Sequence, residues 1–322
     1  MLESAEPSAP AGTLVAGAPG SLAAIEDVPE EEYKKKGIGV LAWIAIGWLV
    51  LVVGMAILAP ILPIKNPTQG DYTSVQAPLF SPHHLLGSDD SGRDVLSRVI
   101  WGAQASLLIA IGSVALGTLI GGALGLWAGF KGGRHDTVLS SSFNIILAFP
   151  QLVLALLLVS IFAGTYLSND GTTHTPSWSR RIVVVIVAVG IVSIPILARI
   201  TRANALAWSQ REFVMAARAQ GASDWRVMLR EVLPNVLPAM LSIALLGVAI
   251  VLILEGSLAI FGLSVAEPSP SWGNMVYSQL SNLNSAPPVW IVPSVLIFAT
   301  VLAFNYLGDV VRARFDVRES AI

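Results

Sequence analysis

Six runs of mainly apolar residues divide the chain: Ile38–Leu62, Ala105–Phe130, Phe143–Tyr166, Ile182–Ile200, Val236–Leu263 and Val289–Gly308. Each supplies about the 20 residues that a helix needs to cross the hydrocarbon core of a bilayer. Gly121-Gly122, Pro150 and Pro195 fall inside them, and membrane helices tolerate both residue types better than soluble ones do. The polar stretches between the runs are unequal. Residues 63–104 form a long loop that ends in an acid-rich segment, 201–235 are rich in Ala and Arg, and 264–288 hold no Lys or Arg but many Pro, Ser and Asn. The pattern predicts an all-α membrane protein with six transmembrane helices in one domain, 34–322. Residues 1–33 are mostly Ala, Pro, Gly, Ser and Glu and read as a disordered tail. The start, Met1-Leu2-Glu3-Ser4-Ala5-Glu6, has an acid where a secretory signal carries a positive charge.

Composition agrees with a bilayer as solvent. Of 322 residues, 54% are hydrophobic and 12% charged, against about 25% charged in an ordinary soluble domain. The net charge of −2 says nothing about nucleic acid, but the absence of a basic stripe argues against it as a partner. With no Cys there is no disulfide, thiolate metal site or cysteine nucleophile. Charge asymmetry orients the spans. With the N-terminus inside, the cytoplasmic flanks hold Lys34, Lys35, Lys36, Lys131, Arg134, Arg199, Arg202, Arg211, Arg218, Arg226, Arg230, Arg312, Arg314 and Arg318. The outside holds only Lys65, Arg93, Arg98, Arg180 and Arg181. Both termini are therefore expected in the cytoplasm.

Ionisable residues within spans are costly and usually functional. Glu255 is the one acid within the six runs, and Arg199 stands at an edge. That inventory lacks the buried carboxylates of a proton- or sodium-driven carrier and the Arg ladder of a voltage sensor. Glu255 either bonds a broken helix end near Gly256 or lines a substrate path. The four His (His83, His84, His135, His174) fall in predicted loops, and none has the spacing of a helical metal pair. Asp89, Asp90 and Asp94 suggest either a cation site or, the favoured reading, caps for a short helix starting near Ser91. No enzyme motif or phosphate-binding loop occurs. A passive channel would need a polar pore stripe, which the spans do not offer.

The loop 201–235 is the informative one. Residues 212–220, Glu212 through Gln220, favour helix overall. Gly221 permits a sharp turn, Ser223 or Asp224 is placed to cap a second helix, and Pro234 restricts its junction with the fifth span. The expectation is a helix–glycine–helix elbow leading into the membrane, with Trp225 as a packing anchor.

Here the residues resemble a known family. Ala216-Ala217, Gly221 and Leu233-Pro234 look like the "EAA" loop of ATP-binding-cassette (ABC) importer permeases. His84–Arg98, Gly129-Phe130-Lys131-Gly132-Gly133, Leu147-Ala148-Phe149-Pro150, Glu255-Gly256-Ser257-Leu258, Phe261-Gly262-Leu263, Pro270–Met275 and Ala303–Asp309 are similar to the dipeptide/oligopeptide branch of C-subunit type. The resemblance covers about residues 38–316. It implies a type I importer permease (MetI-like) fold in a bacterial inner membrane. It also implies a homologous permease subunit as partner, two ATPase subunits or domains that bind ATP and Mg, and an extracytoplasmic binding protein that delivers peptide cargo. The chain itself would carry no cofactor and no catalytic residue. Met215, Ala216, Ala217, Arg218, Gly221, Ala222, Asp224 and Arg226 would face an ATPase, with Arg218 and Arg226 either pairing with its acids or meeting lipid headgroups. Glu255 and Asn305 would serve the pathway or its framework. Asp89, Arg93, Asp94, Trp272 and Asn274 would lie on loops that meet the binding protein, Trp272 and Asn274 alternatively seating their loop at the membrane interface. The chain departs from the family at Met215, where the family's Glu opens the motif, and at Ser141 and Asn144, where the family often has Arg and Asp.

Overall fold

The computed structural model describes residues 39–163, 166–167, 173–174, 177–280 and 287–319. The predicted tail and Lys34–Lys36 lie outside them. The helices are α1 (Val40–Leu58), α2 (Val95–Lys131), α3 (Gly133–Leu147), α4 (Gln151–Ala163), α5 (Trp178–Ser209), α6 (Glu212–Ala219), α7 (Asp224–Val227), α8 (Leu233–Ile260), α9 (Trp272–Ser278) and α10 (Pro287–Glu319). A two-residue antiparallel pair, Tyr166–Leu167 with Thr173–His174, joins α4 to α5.

Five helical stretches are long and apolar enough to span a bilayer, the α7–α8 segment counting as one, and a sixth span is formed only if α3 and α4 are taken together. The predicted third span is thus broken. Its halves meet at 82°. Pro150 lacks the N–H that the Ile146 carbonyl would accept in a helix, and its ring keeps Phe149 from a helical conformation. The Phe149 N–H turns back to Ile146 O at 3.2 Å. The second, fourth and sixth spans run longer than hydropathy indicated; the start of α2 and the end of α5 pack on protein beyond the apolar run, through Val95, Arg98 and Val99 and through Thr201 and Ala205. At 1.5 Å per residue, α2 is about 55 Å long, against a hydrocarbon thickness of about 30 Å.

The most extensive contact between helices is α2 against α5. It is built on Gly117, Gly121, Gly125 and Gly129, one per helical turn. A Cβ on Gly121 would stand 2.5 Å from Ile194 O, and one on Gly129 would stand 2.5 Å from Arg202 O. Gly125 is pressed equally on the Ala198 backbone. Without a hydrophobic driving force between helices in lipid, such close backbone approach is what makes association favourable. Ile109, Val114, Val185, Val189, Val248 and Leu252 continue the buried core around this seam.

Replacing Gly125 with Val should separate α2 from α5 and cost about 3 kcal/mol, the upper range for overpacking because the obstacle is backbone. A lowered melting temperature of the detergent-solubilised protein is the expected reading. Gly47→Val is the control, since nothing lies within 4 Å of its Cβ position, and it should melt like the parent.

Candidate coupling elbow and the loop clasp

At one end of the helices, α6 and α7 form the predicted elbow. Gly221 has φ +83 and ends α6 with two backbone bonds, Ala222 N–H to Ala217 O at 3.1 Å and Gly221 N–H to Arg218 O at 3.0 Å. This is the Schellman arrangement, and it needs the left-handed residue that only glycine adopts freely. The same arrangement, with Gly262 at φ +70, ends α8. Ser223 precedes α7 in extended conformation, but its side chain makes no capping bond. Between α7 and α8 the helix widens to a π-turn, Met228–Val232, in which the Leu233 N–H reaches Met228 O. Pro234 explains it, having no N–H for the Arg230 carbonyl. Asn235 Nδ2 donates to Glu231 O at 2.6 Å.

The elbow's inner face is apolar. Val214, Val227, Met228 and Val232 pack with Leu126 and Phe130 of α2 and Ala205 of α5. Ala217 and Ala222 lie half-buried against this cluster. The outer face carries Met215, Ala216, Gly221, Asp224 and Arg226, all exposed. Trp225, expected as a packing anchor, is 66% exposed and belongs to that outer face. Arg218 is only partly free: its Cζ lies 4.8 Å from the centre of the Phe130 ring, and its Nε stands 4.0 Å from Asp224 Oδ1. Asp224 also pairs with Lys131 Nζ at 2.6 Å. Nearby, Asn144 Oδ1 accepts from Arg199 Nη2 at 2.9 Å, and Asp136 pairs with Arg202. The substitution at 144 therefore leaves a charge-assisted hydrogen bond in place, and α3 keeps an ion pair to α5 through another acid.

At the opposite end, the loops 63–94 and 264–271 are clasped over the start of α2. Asp94 caps that helix, accepting from Ser97 N–H at 2.9 Å and from His84 Nδ1 at 3.0 Å. The helix predicted to start near Ser91 starts at Val95 instead. Asp89 turns the preceding chain by accepting from Ser91 N–H and Arg93 N–H at 2.9 Å each. Arg98, 1% exposed, donates to Glu267 Oε1 at 3.0 Å, to Pro268 O at 3.0 Å and to Pro67 O at 3.2 Å. Arg93 joins Asp89 at 2.7 Å and also meets Glu267. Burial opposes the charge on Arg93, but the carboxylates of Glu267 and Asp89 outweigh it and hold its pKa above the ordinary arginine value.

Glu255 supports the clasp from below. It is buried, accepts from Ser271 Oγ at 2.8 Å and Ser106 Oγ at 3.3 Å, and also bonds Ser264. Since α8 continues to Ile260, Glu255 does not mark a broken helix end at Gly256. It ties the chain after α8 to α2. Ser106 in turn accepts from Trp272 N–H at 3.0 Å, and Trp272 Nε1 donates to Val99 O at 3.0 Å. Ser271 and Asn274 form a reciprocal capping box at the start of α9. Asp89, Asp94, Trp272 and Asn274 are consequently buried. They hold these loops together: Asp94 is a helix cap, the role the sequence favoured, while Trp272 and Asn274, expected at a partner or at the membrane interface, pack inside. His84, placed in a loop by the sequence, is nonetheless only 2% exposed. Asn305 lies half-buried on α10, one turn before Gly308, whose carbonyl accepts from Ser242 Oγ at 2.8 Å. The serine partners of Glu255 carry no sequence pattern of their own, which is why sequence alone did not find them. Among the described residues no group of three or more His, Asp or Glu is placed to hold a metal ion.

Glu255→Ala should strip three hydroxyls of their acceptor and cost about 3 kcal/mol. Faster hydrogen exchange at the Trp272 amide, with Glu255→Gln closer to the parent, is the expected outcome.

Comparison with known proteins agrees with this layout. Residues 121–320 match the family described as binding-protein-dependent transport system inner membrane component. The chain is 35% identical over 271 residues, 84% of each chain, to a glutathione transport system permease protein of Pectobacterium atrosepticum. It is 32% identical over 287 residues, 89% of this chain and 88% of the other, to a dipeptide transport system permease protein of Alkalihalophilus pseudofirmus. Among solved structures, a chain of the inward-facing MetNI methionine ABC transporter shares the fold at TM-score 0.52 and 20% identity, covering 68% of this chain and 96% of that one. The chain belongs to the family of binding-protein-dependent transport system inner membrane components, the membrane-spanning permeases of ABC importers.

Proposed function

We propose that this permease forms half of the translocation pathway of an ATP-driven importer of di- and oligopeptides, paired with a homologous permease subunit. The single observation that carries the coupling assignment is the elbow. Two short helices share an apolar inner face and an exposed outer face, and the second runs without interruption into a spanning helix. A push on the outer face reaches α8 and α2 directly. Docking on a cytoplasmic ATPase uses the outer surface of Met215, Ala216, Gly221, Trp225 and Arg226. ATP and Mg bind on the ATPase partners. The clasped loops face an extracytoplasmic binding protein, which hands over cargo. Peptide cargo follows from the named activities of the relatives.

This reading places the elbow and both termini in the cytoplasm. The distribution of cations supports it. Of the five assigned outside, Arg93 and Arg98 are taken up by Asp89 and Glu267, and Arg181 is buried, donating to Gly262 O at 3.1 Å.

The test is reconstitution of the permease pair with its ATPases and binding protein in liposomes, with uptake of dipeptides and glutathione followed alongside ATP hydrolysis. Nothing lies within 4 Å of a Cβ at Gly221, so a side chain there meets only a docked partner. Gly221→Asn, which tolerates the left-handed conformation, should retain most uptake, whereas Gly221→Trp should lower it at least tenfold. Failure of any ATPase to co-purify, together with full uptake by the Trp variant, would sink the assignment.

A further inference from the structure

The elbow is attached to α2 as well as to α8. Lys131, the last residue of α2, reaches Asp224, the first of α7, at 2.6 Å. Arg218 of α6 lies against Phe130 and stands within ion-pair range of the same Asp224. Beneath these contacts Leu126 and Phe130 of α2 share one buried cluster with Val214, Val227 and Met228. Just beyond Lys131 the chain turns sharply at Gly132 and Gly133, φ +63 and +59, so the attachment sits at the very end of α2. At its other end the same unbroken helix carries Asp94, Arg98 and Ser106, which hold the outward clasp.

From these contacts we propose that Lys131 and Asp224 form a latch that keeps the elbow and α2 moving as one body, so that α2 carries displacement of the elbow to the outward loops. The two are positioning residues, acting through α2 on the loops that receive cargo. An exposed ion pair contributes little to stability; here its part is to set the angle of the joint. The proposal rests on the coupling role of the elbow given above.

The chain has no Cys, so Lys131→Cys with Asp224→Cys introduces a unique thiol pair. In the reconstituted complex, joining the pair with a short thiol crosslinker should preserve more than half of ATP-driven uptake. The single reversals Lys131→Glu and Asp224→Lys should raise ATP hydrolysed per peptide imported several-fold, and the double reversal should restore the ratio. Loss of uptake on crosslinking would overturn the latch, as would single reversals that couple normally or a double reversal no better than the singles. If the single reversals fail to assemble, the crosslinked pair decides. Absence of ATP-driven uptake in the unmodified complex would instead count against the coupling role itself.

Discussion

The close approach of α2 to α5 is the constraint on which the remaining structure depends. Three glycines, 121, 125 and 129, bring backbone to backbone, and Gly117 extends the seam by a turn against Ser193 and Leu197. In a bilayer the lipid tails are as apolar as any leucine, so association must come from close packing. Everything placed at the ends of α2 inherits its position from this seam. The clasp gathers on residues 94–106 and the elbow cluster on Leu126 and Phe130.

Charge is handled differently at the two ends. At the clasp the arginines are consumed: Arg98 is buried and bonded to Glu267 and two carbonyls, while Arg181 is buried against Gly262. Leaving such a charge without partners would be strongly destabilising, which accounts for the dense bonding around 264–274. At the elbow end, Asp224, Lys131, Arg218 and Arg226 remain near the surface. One end is organised to hold its own loops rigidly. The other keeps a charged, small-residue surface available.

Much of this was legible in the sequence because long apolar runs and glycine at a helix end have few alternative readings. The number of spans, the elbow and the turn at Gly221 were all visible. The break at Pro150 was hidden inside a run whose hydropathy continues across it. Trp272 and Asn274 stand in a polar loop and read as exposed, yet the Glu255 hydroxyl network draws them inward. That network joins residues 106, 255, 264 and 271, separations no local pattern encodes. Trp225 misled in the opposite direction: its bulk suggested burial, but the elbow's apolar quota is met by Val214, Val227 and Met228. The glycine spacing on α2 was present in the letters, though its meaning required knowing that α5 lies opposite.

The π-turn at Met228–Val232 has a geometric consequence of its own. Such a turn holds one residue more than an α-helical turn, and each residue of an α-helix advances the side-chain direction by about 100°. Deleting a single residue there would let the ladder close regularly while swinging the whole elbow about the α8 axis. Val214 and Val227 would leave Leu126 and Phe130, and the surface bearing Met215 and Trp225 would point elsewhere. The surplus residue thus sets the azimuth of the elbow, and Pro234, by denying a donor to the preceding turn, keeps that surplus in place.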